Sequence, residues 1–69
     1  MGERFKEVRE TLGLEQSEYS ERLGIKPDDV VDIENGKSEL TEPILFSVCR
    51  EFNINVQWLR TGHGEMRKA

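Results

Sequence analysis

The sequence predicts an all-α domain, an orthogonal bundle of five short helices around a central helix-turn-helix. Apolar residues recur at spacings of three and four in successive segments, and no segment alternates apolar and polar residues as a strand would. Glycines stand where these segments end, at Gly13, Gly24 and Gly62. The chain has 69 residues, so we expect a single domain over residues 1–66 and a frayed tail over residues 67–69.

The first predicted helix runs from about Glu3 to Leu12. Phe5, Val8 and Leu12 lie on one face at positions i, i+3 and i+7, and charged residues fill the other face. Gly13 ends this helix, because a glycine adopts the left-handed conformation without steric cost.

Two short helical patterns follow and meet at a turn centred on Gly24. In the first pattern Tyr19 and Leu23 are four residues apart, so they share the buried face. The second begins at Pro27, a residue favoured at the first helical position, and buries Val30 and Ile33. We expect Asn35 and Gly36 to stop it, since both tolerate the left-handed conformation.

The last two helices are predicted from their caps and their apolar stripes. Thr41 is the expected N-cap of the fourth helix, whose inner face carries Leu45, Val48, Cys49 and Phe52. Asn53 can end that helix. Asn55 can cap a short fifth helix that holds Val56, Trp58 and Leu59 and stops at Thr61 and Gly62.

The composition argues against several classes of function. Hydrophobic and charged residues each make up 35% of the chain, and no apolar run is long enough to cross a bilayer, so we expect a cytoplasmic protein without a membrane partner. Cys49 is the only cysteine and lies on an apolar stripe, and His63 has no second ligand at a metal spacing, so we expect no metal or other cofactor. No catalytic constellation is recognisable, and an enzyme is not expected.

Three stretches of the chain resemble one known family when they are taken together. They are RFKEVRETLGLEQSEYSERLGI, DIENGK and FNINVQWLRTGHGEM, and in this order they resemble the phage repressor and Cro-like helix-turn-helix proteins, or XRE family. The resemblance extends from about Arg4 to Met66. It implies a lambda-repressor-like fold and a sequence-specific DNA-binding transcriptional regulator, here of phage or prophage type. Such a protein would act in a bacterial or phage-infected cell, as a homodimer on double-stranded DNA.

The resemblance also implies a role for individual residues of the second helix of the motif, at about residues 27–34. This helix would enter the major groove of DNA. The positions that face bases in the family correspond here to Pro27, Asp28 and Asp32, with Lys26, Asp29 and Val31 beside them.

Other positions match supporting roles in the family. Gln16 matches a residue that holds the DNA backbone and can support the recognition helix. Asn35, Gly36 and Lys37 match a loop whose N–H groups and lysine touch phosphate. Arg9 and Glu34 match a partly buried ion pair. Val56, Trp58 and Leu59 match a region that packs either into the protein's own core or against a second subunit.

The charge of the motif departs from the family pattern. Residues 14–42 contain nine acidic and three basic residues, a net charge of −6, whereas the whole chain has −4. A DNA-binding surface is expected to be basic. Aspartates can still accept from the cytosine amino group, and Val31 can lie against a thymine methyl. The alternative is a protein-interaction module whose acidic face, made of Asp28, Asp29 and Asp32, binds a basic protein partner instead of DNA.

Overall fold

The computed structural model describes residues 2–67, and within them it contains five helices. Their order and bounds are α1 (Gly2–Thr11), α2 (Gln16–Leu23), α3 (Pro27–Glu34), α4 (Glu42–Phe52) and α5 (Val56–Thr61). The β-structure among these residues is one isolated antiparallel bridge between Ile54 and Arg67. The predicted all-α, five-helix fold is therefore confirmed. None of the helices in this range has the length and apolar character needed to cross a membrane.

The helices pack around one core, in which α2, α3 and α4 each pack on two other helices. α3 packs on both α1 and α2, while α4 packs on α2 and α5. Aromatic side chains join three of these helices, because the Tyr19 ring lies 4.8 Å from the Phe5 ring and 5.7 Å from the Phe52 ring, measured between centroids. The inner faces predicted from the spacing are confirmed for Val8, Val30 and Leu45, which are fully buried.

The turn between α2 and α3 has the predicted geometry. Gly24 adopts the left-handed conformation with φ of 74°. The N–H of Ile25 then donates to the carbonyl of Ser20 at 3.0 Å, which closes the last turn of α2. α3 begins two residues later with Pro27 at its first position, as predicted. The glycine thus allows the two helices to follow one another almost without a connecting segment.

The end of α3 and the start of α4 lie where the sequence predicts them. Asn35 keeps a right-handed conformation, with φ of −89° and ψ of 0°, and only Gly36 is left-handed. The prediction that Asn35 and Gly36 stop α3 is confirmed, because the helix ends at Glu34 and one left-handed residue suffices to end it. Thr41 stands at the N-cap of α4, but its side chain makes no capping hydrogen bond.

The two predicted asparagine caps are confirmed. Asn53 ends α4 in the left-handed conformation with φ of 56°. The Asn55 Oδ1 accepts from the backbone N–H groups of Gln57 at 2.9 Å and Trp58 at 3.4 Å, which satisfies two donors at the start of α5.

The segment after α5 lies against the domain as far as Met66, in agreement with the expected extent of the domain. The N–H of Asn55 donates to the carbonyl of Met66 at 2.8 Å, and the Met66 side chain packs on the core. Of the expected frayed tail, Arg67 forms the bridge with Ile54, and residues 68 and 69 lie outside the described residues. The boundary between residues 66 and 67 stays a prediction.

Candidate functional site

The outer face of α3 is the surface on which the expected site residues meet. Val30 and Ile33 are buried against the core, so the opposite side of this helix faces outward. Asp28, Val31 and Asp32 share that side at positions i, i+3 and i+4. Asp28 is exposed, and Val31 and Asp32 are half-buried. The exposed Pro27 precedes them at the start of the helix. The structure therefore brings the expected base-facing residues together on one face.

The three aspartates of α3 do not have the same role. The N–H of Lys26 donates to Oδ2 of Asp29 at 3.2 Å, so the Asp29 carboxylate caps the start of the helix. Within residues 2–67 the side chains of Asp28 and Asp32 form no hydrogen bond or ion pair that would restrain them. Asp29 is thus a structural residue, while Asp28 and Asp32 remain available to a ligand as acceptors.

A buried carboxylate lies at the far end of α3. Glu34 is the last residue of this helix, and its side chain is only 3% exposed. It forms a bidentate ion pair with Arg9 of α1, from Nε to Oε2 at 2.7 Å and from Nη2 to Oε1 at 3.2 Å. The hydrogen bonding to Glu34 raises the pKa of Arg9. The pair that the resemblance implies is present, and it ties α1 to the end of α3.

Gln16 completes this network from the start of α2. Its Nε2 donates to Oε1 of Glu34 at 3.0 Å, and the Nη1 of Arg9 donates to the carbonyl of Leu14 at 3.0 Å. One carboxylate therefore joins α1, α2 and α3. The sequence alone does not indicate that Glu34 is the partner of Gln16, because a bond between residues eighteen positions apart depends on the crossing of two helices.

The loop after α3 differs from the expectation in its donors. The N–H of Asn35 donates to the carbonyl of Val31 at 2.9 Å, that of Gly36 to Ile33 at 3.2 Å, and that of Lys37 to Asp32 at 2.8 Å. These N–H groups already satisfy carbonyls at the end of the helix, so the expectation that they are free for phosphate is corrected. The exposed side chains of Asn35 and Lys37 are the donors that this loop offers outward.

One of the three basic residues of the motif forms an ion pair within the domain, and the other two are available to a ligand. Arg22 pairs with Glu51 of α4 at 2.8 Å, and its guanidinium lies 5.2 Å from the centroid of the Phe52 ring. Lys26 and Lys37 form no ion pair among the described residues, and both are exposed. Two of the three cations in the motif can therefore meet an anionic ligand, one at each end of α3.

Apart from the face of α3, the described residues form open grooves but no cluster of metal ligands. An open groove of about 370 Å³ lies between the start of α1 and the loop after α3, and is lined by Gly2, Ile33, Gly36, Ser38, Glu39 and Leu40. Residues 2–67 contain no group of three histidine, cysteine, aspartate or glutamate side chains that could hold a metal ion. Trp58 and Leu59 lie in the core, with Val56 packed half-buried against it.

Comparison with known proteins relates the sequence to transcriptional regulators. Residues 2–65 match a family model described as "Helix-turn-helix domain". The HTH-type transcriptional regulator for conjugative element R391, from Providencia rettgeri, is 32% identical over 66 residues, which cover 96% of this chain and 30% of the relative. The corresponding regulator for conjugative element SXT, from Vibrio cholerae, has the same identity and coverage. The chain thus spans about a third of the length of these relatives.

Comparison of structures supports the same fold. The solution structure of the DNA-binding domain of the P22 c2 repressor matches with a TM-score of 0.80 at 20% sequence identity, and the match covers 88% of this chain and 80% of that one. At this identity the similarity shows the fold alone. The five-helix bundle with its central helix-turn-helix is therefore shared with a solved repressor domain.

Proposed function

Because the chain belongs to the helix-turn-helix domain family, we propose that it is a sequence-specific DNA-binding transcriptional regulator of the phage repressor and Cro type. The observation that carries the proposal is the outer face of α3, where Asp28, Val31 and Asp32 lie together and the two carboxylates have no hydrogen-bond or ion-pair partner within residues 2–67. Relatives named as transcriptional regulators over nearly the whole chain support it. In this role the chain needs no cofactor or catalytic residue and works in the cytoplasm.

The recognition helix α3 would lie in the major groove with Pro27 leading. The carboxylates of Asp28 and Asp32 can only accept hydrogen bonds when they are ionised, so they favour base edges that donate. In the major groove the amino group of cytosine is such a donor, whereas the O6 and N7 atoms of guanine are acceptors and repel a carboxylate. Val31 can contact a thymine methyl. This face therefore favours cytosine over guanine on the strand that it contacts.

Side chains at the two ends of α3 would fix the position of the helix on the DNA backbone. Lys26 before the helix, Lys37 after it and the Asn35 amide can each reach a phosphate oxygen. Gln16 at the start of α2 can add a neutral donor. These contacts set the register, and they carry no sequence information of their own.

A two-fold dimer is the assembly that fits this mode of binding. Two copies would place their recognition helices in successive major grooves, about 34 Å apart along the duplex. Trp58 and Leu59 are already in the core, so a contact near α5 would use the half-buried Val56 and its exposed neighbours.

The alternative of a basic protein partner is supported by charge alone. One of the three carboxylates, that of Asp29, accepts a capping hydrogen bond from the N–H of Lys26.

Exchange of carboxylates for amides tests the proposal. Asparagine has the shape of aspartate but pairs with adenine in the major groove. In duplexes selected from a random pool, we expect Asp28→Asn or Asp32→Asn to shift the preferred base from cytosine to adenine at one position. Asp29→Asn is the matched control and should keep the wild-type preference. The same preferred sequence in wild type and in both test variants would show that these aspartates do not face bases.

A further inference from the structure

Val31 lies between two carboxylates on the outer face of α3. Asp28 stands three residues before it, where the Cβ atoms of helical neighbours are about 5 to 6 Å apart, and Asp32 follows it directly. Val31 is half-buried, yet it is not among the partly buried apolar side chains that pack on the core of residues 2–67. Its apolar surface is therefore available to a ligand, although it has a charged neighbour on either side.

The side chains of this face have limited freedom. A valine in a helix has one strongly preferred rotamer, because both of its γ carbons must avoid the preceding turn. Asp32 is half-buried, which restricts the directions open to its carboxylate. Within residues 2–67 the carboxylates of Asp28 and Asp32 accept no hydrogen bond. The face thus offers hydrogen-bond acceptors and an apolar group side by side.

Among the pyrimidine bases, 5-methylcytosine carries both of the groups that this face complements. In the major groove cytosine offers an amino donor without a methyl, and thymine offers a methyl beside the O4 acceptor, which repels a carboxylate. A methyl on C5 of cytosine is attached to the ring atom next to the one that carries the amino group. Donor and methyl then lie together on one base edge, where a carboxylate and a valine of one helix face can contact them at the same time.

We propose that α3 recognises cytosine methylated at C5 in preference to unmodified cytosine, with Asp28 or Asp32 accepting from the amino group and Val31 contacting the methyl. The inference rests on the proposed DNA-binding function, and it adds the methylation state of the DNA as a signal that the regulator reads. An acidic motif gains little affinity from phosphates. An apolar contact with a base is therefore a larger share of its binding free energy than it would be in a basic motif.

Four duplexes that differ at one base pair separate the donor from the methyl. Selection from a random pool locates each cytosine under α3, and that base is replaced by 5-methylcytosine, uracil or thymine, each with its complementary partner. Methylation of cytosine should raise the affinity by about 4-fold, the effect of burying one further methyl-sized group. Uracil and thymine should bind more weakly than cytosine, because their O4 atom faces the carboxylate. Methylation of a cytosine outside the contacted positions is the control and should leave the affinity unchanged.

The variant Val31→Ala tests the residue that contacts the methyl. Alanine favours the helix and removes the γ carbons, and thermal melting establishes that the variant is folded. We expect Val31→Ala to bind the methylated and the unmodified duplex about equally. Lys37→Ala is the control for weakened binding, since loss of a phosphate contact lowers the affinity for both duplexes and leaves their ratio unchanged. A gain from methylation that persists in Val31→Ala would overturn the assignment of the methyl contact to Val31.

The outcomes for the wild type distinguish the inference from the proposed function. Binding of the enriched duplex with no gain from methylation, or with a loss, would overturn the inference and leave the proposed function standing. An enriched sequence without cytosine under α3 would overturn the inference as well. A chain that binds no duplex and enriches no sequence would refute the proposed function, and the inference with it.

Discussion

Tyr19 places a polar atom, its hydroxyl oxygen, inside the hydrophobic core. Its ring is fully buried between Phe5 and Phe52, and its hydroxyl donates to the carbonyl of Phe5 at 2.8 Å. Burial raises the pKa of Tyr19 above its ordinary value of 10.0, because the phenolate would lose its hydration in the core. The neutral phenol is therefore part of the folded structure.

This shift predicts a loss of stability at alkaline pH. The pKa of Tyr19 is higher in the folded than in the unfolded state, so its contribution is complete below the unfolded value of about 10 and is lost as pH rises above it. Tyr19 is the only tyrosine in the chain, so phenolate absorbance reports this residue alone. We expect the absorbance to rise only together with the change in Trp58 fluorescence that accompanies unfolding. Phenolate formation while the fluorescence stays native would contradict the account.

A Tyr19→Phe variant provides the control. It should lose about 1 kcal/mol of stability at neutral pH, the typical contribution of one hydrogen bond. Its stability should also fall less steeply than that of the wild type as pH rises past about 10.

At the scale of the helices, the turn at Gly24 decides how α2 and α3 are arranged. A Cβ atom at this position would meet no atom within 4 Å, so the strain of a substitution comes from the backbone conformation alone, with φ of 74°. We expect Gly24→Ala to lower the free energy of unfolding by about 1 to 2 kcal/mol, the cost of the left-handed conformation for a residue with a Cβ. Urea unfolding measures this difference.

Gly24→Asn is the matched substitution for this turn. Asparagine adopts the left-handed conformation more readily than alanine, so its loss of stability should be the smaller of the two. An alanine variant as stable as the wild type would mean that the turn does not require a positive φ.

The elements that the sequence predicted are those whose causes are local. Helical spacing identified the buried faces, and the caps at Asn53 and Asn55 follow from the conformations and hydrogen bonds of neighbouring residues. Leu40 and Ile54 are buried although they stand in connecting segments, where periodicity gives no signal. Their burial depends on how the helices cross.

The candidate site likewise combines features that the sequence predicts with features that it does not. A shared face for Asp28, Val31 and Asp32 follows from helical geometry, and the Arg9–Glu34 pair was expected from the family resemblance. That Gln16 can support the recognition helix was also expected from the resemblance, but its partner Glu34 was not, because this contact depends on tertiary packing. The internal bonds of the loop after α3 could have been anticipated, since the last carbonyls of a helix need donors.

At the level of the whole molecule, the negative net charge limits how strongly the chain can bind a polyanion such as DNA. The motif has a net charge of −6, and Arg22 is engaged with Glu51. Lys26 and Lys37 remain as its available cations, so few phosphates can be neutralised by each copy. Because each neutralised phosphate contributes about −0.9 to the slope of log affinity against log salt concentration, we expect a slope of about −2 per copy. Lys37→Ala should reduce the magnitude of that slope by about 1.

Equilibrium binding of the chain to a pool of random-sequence duplex DNA tests whether α3 recognises DNA. Fluorescence anisotropy follows binding at low salt, and the bound duplexes are then recovered and sequenced. We expect weak binding to the pool, a shallow decrease of affinity with salt, and enrichment of one sequence with cytosine at positions under α3. No change in anisotropy at the lowest salt, together with no enriched sequence, would contradict DNA recognition by this helix.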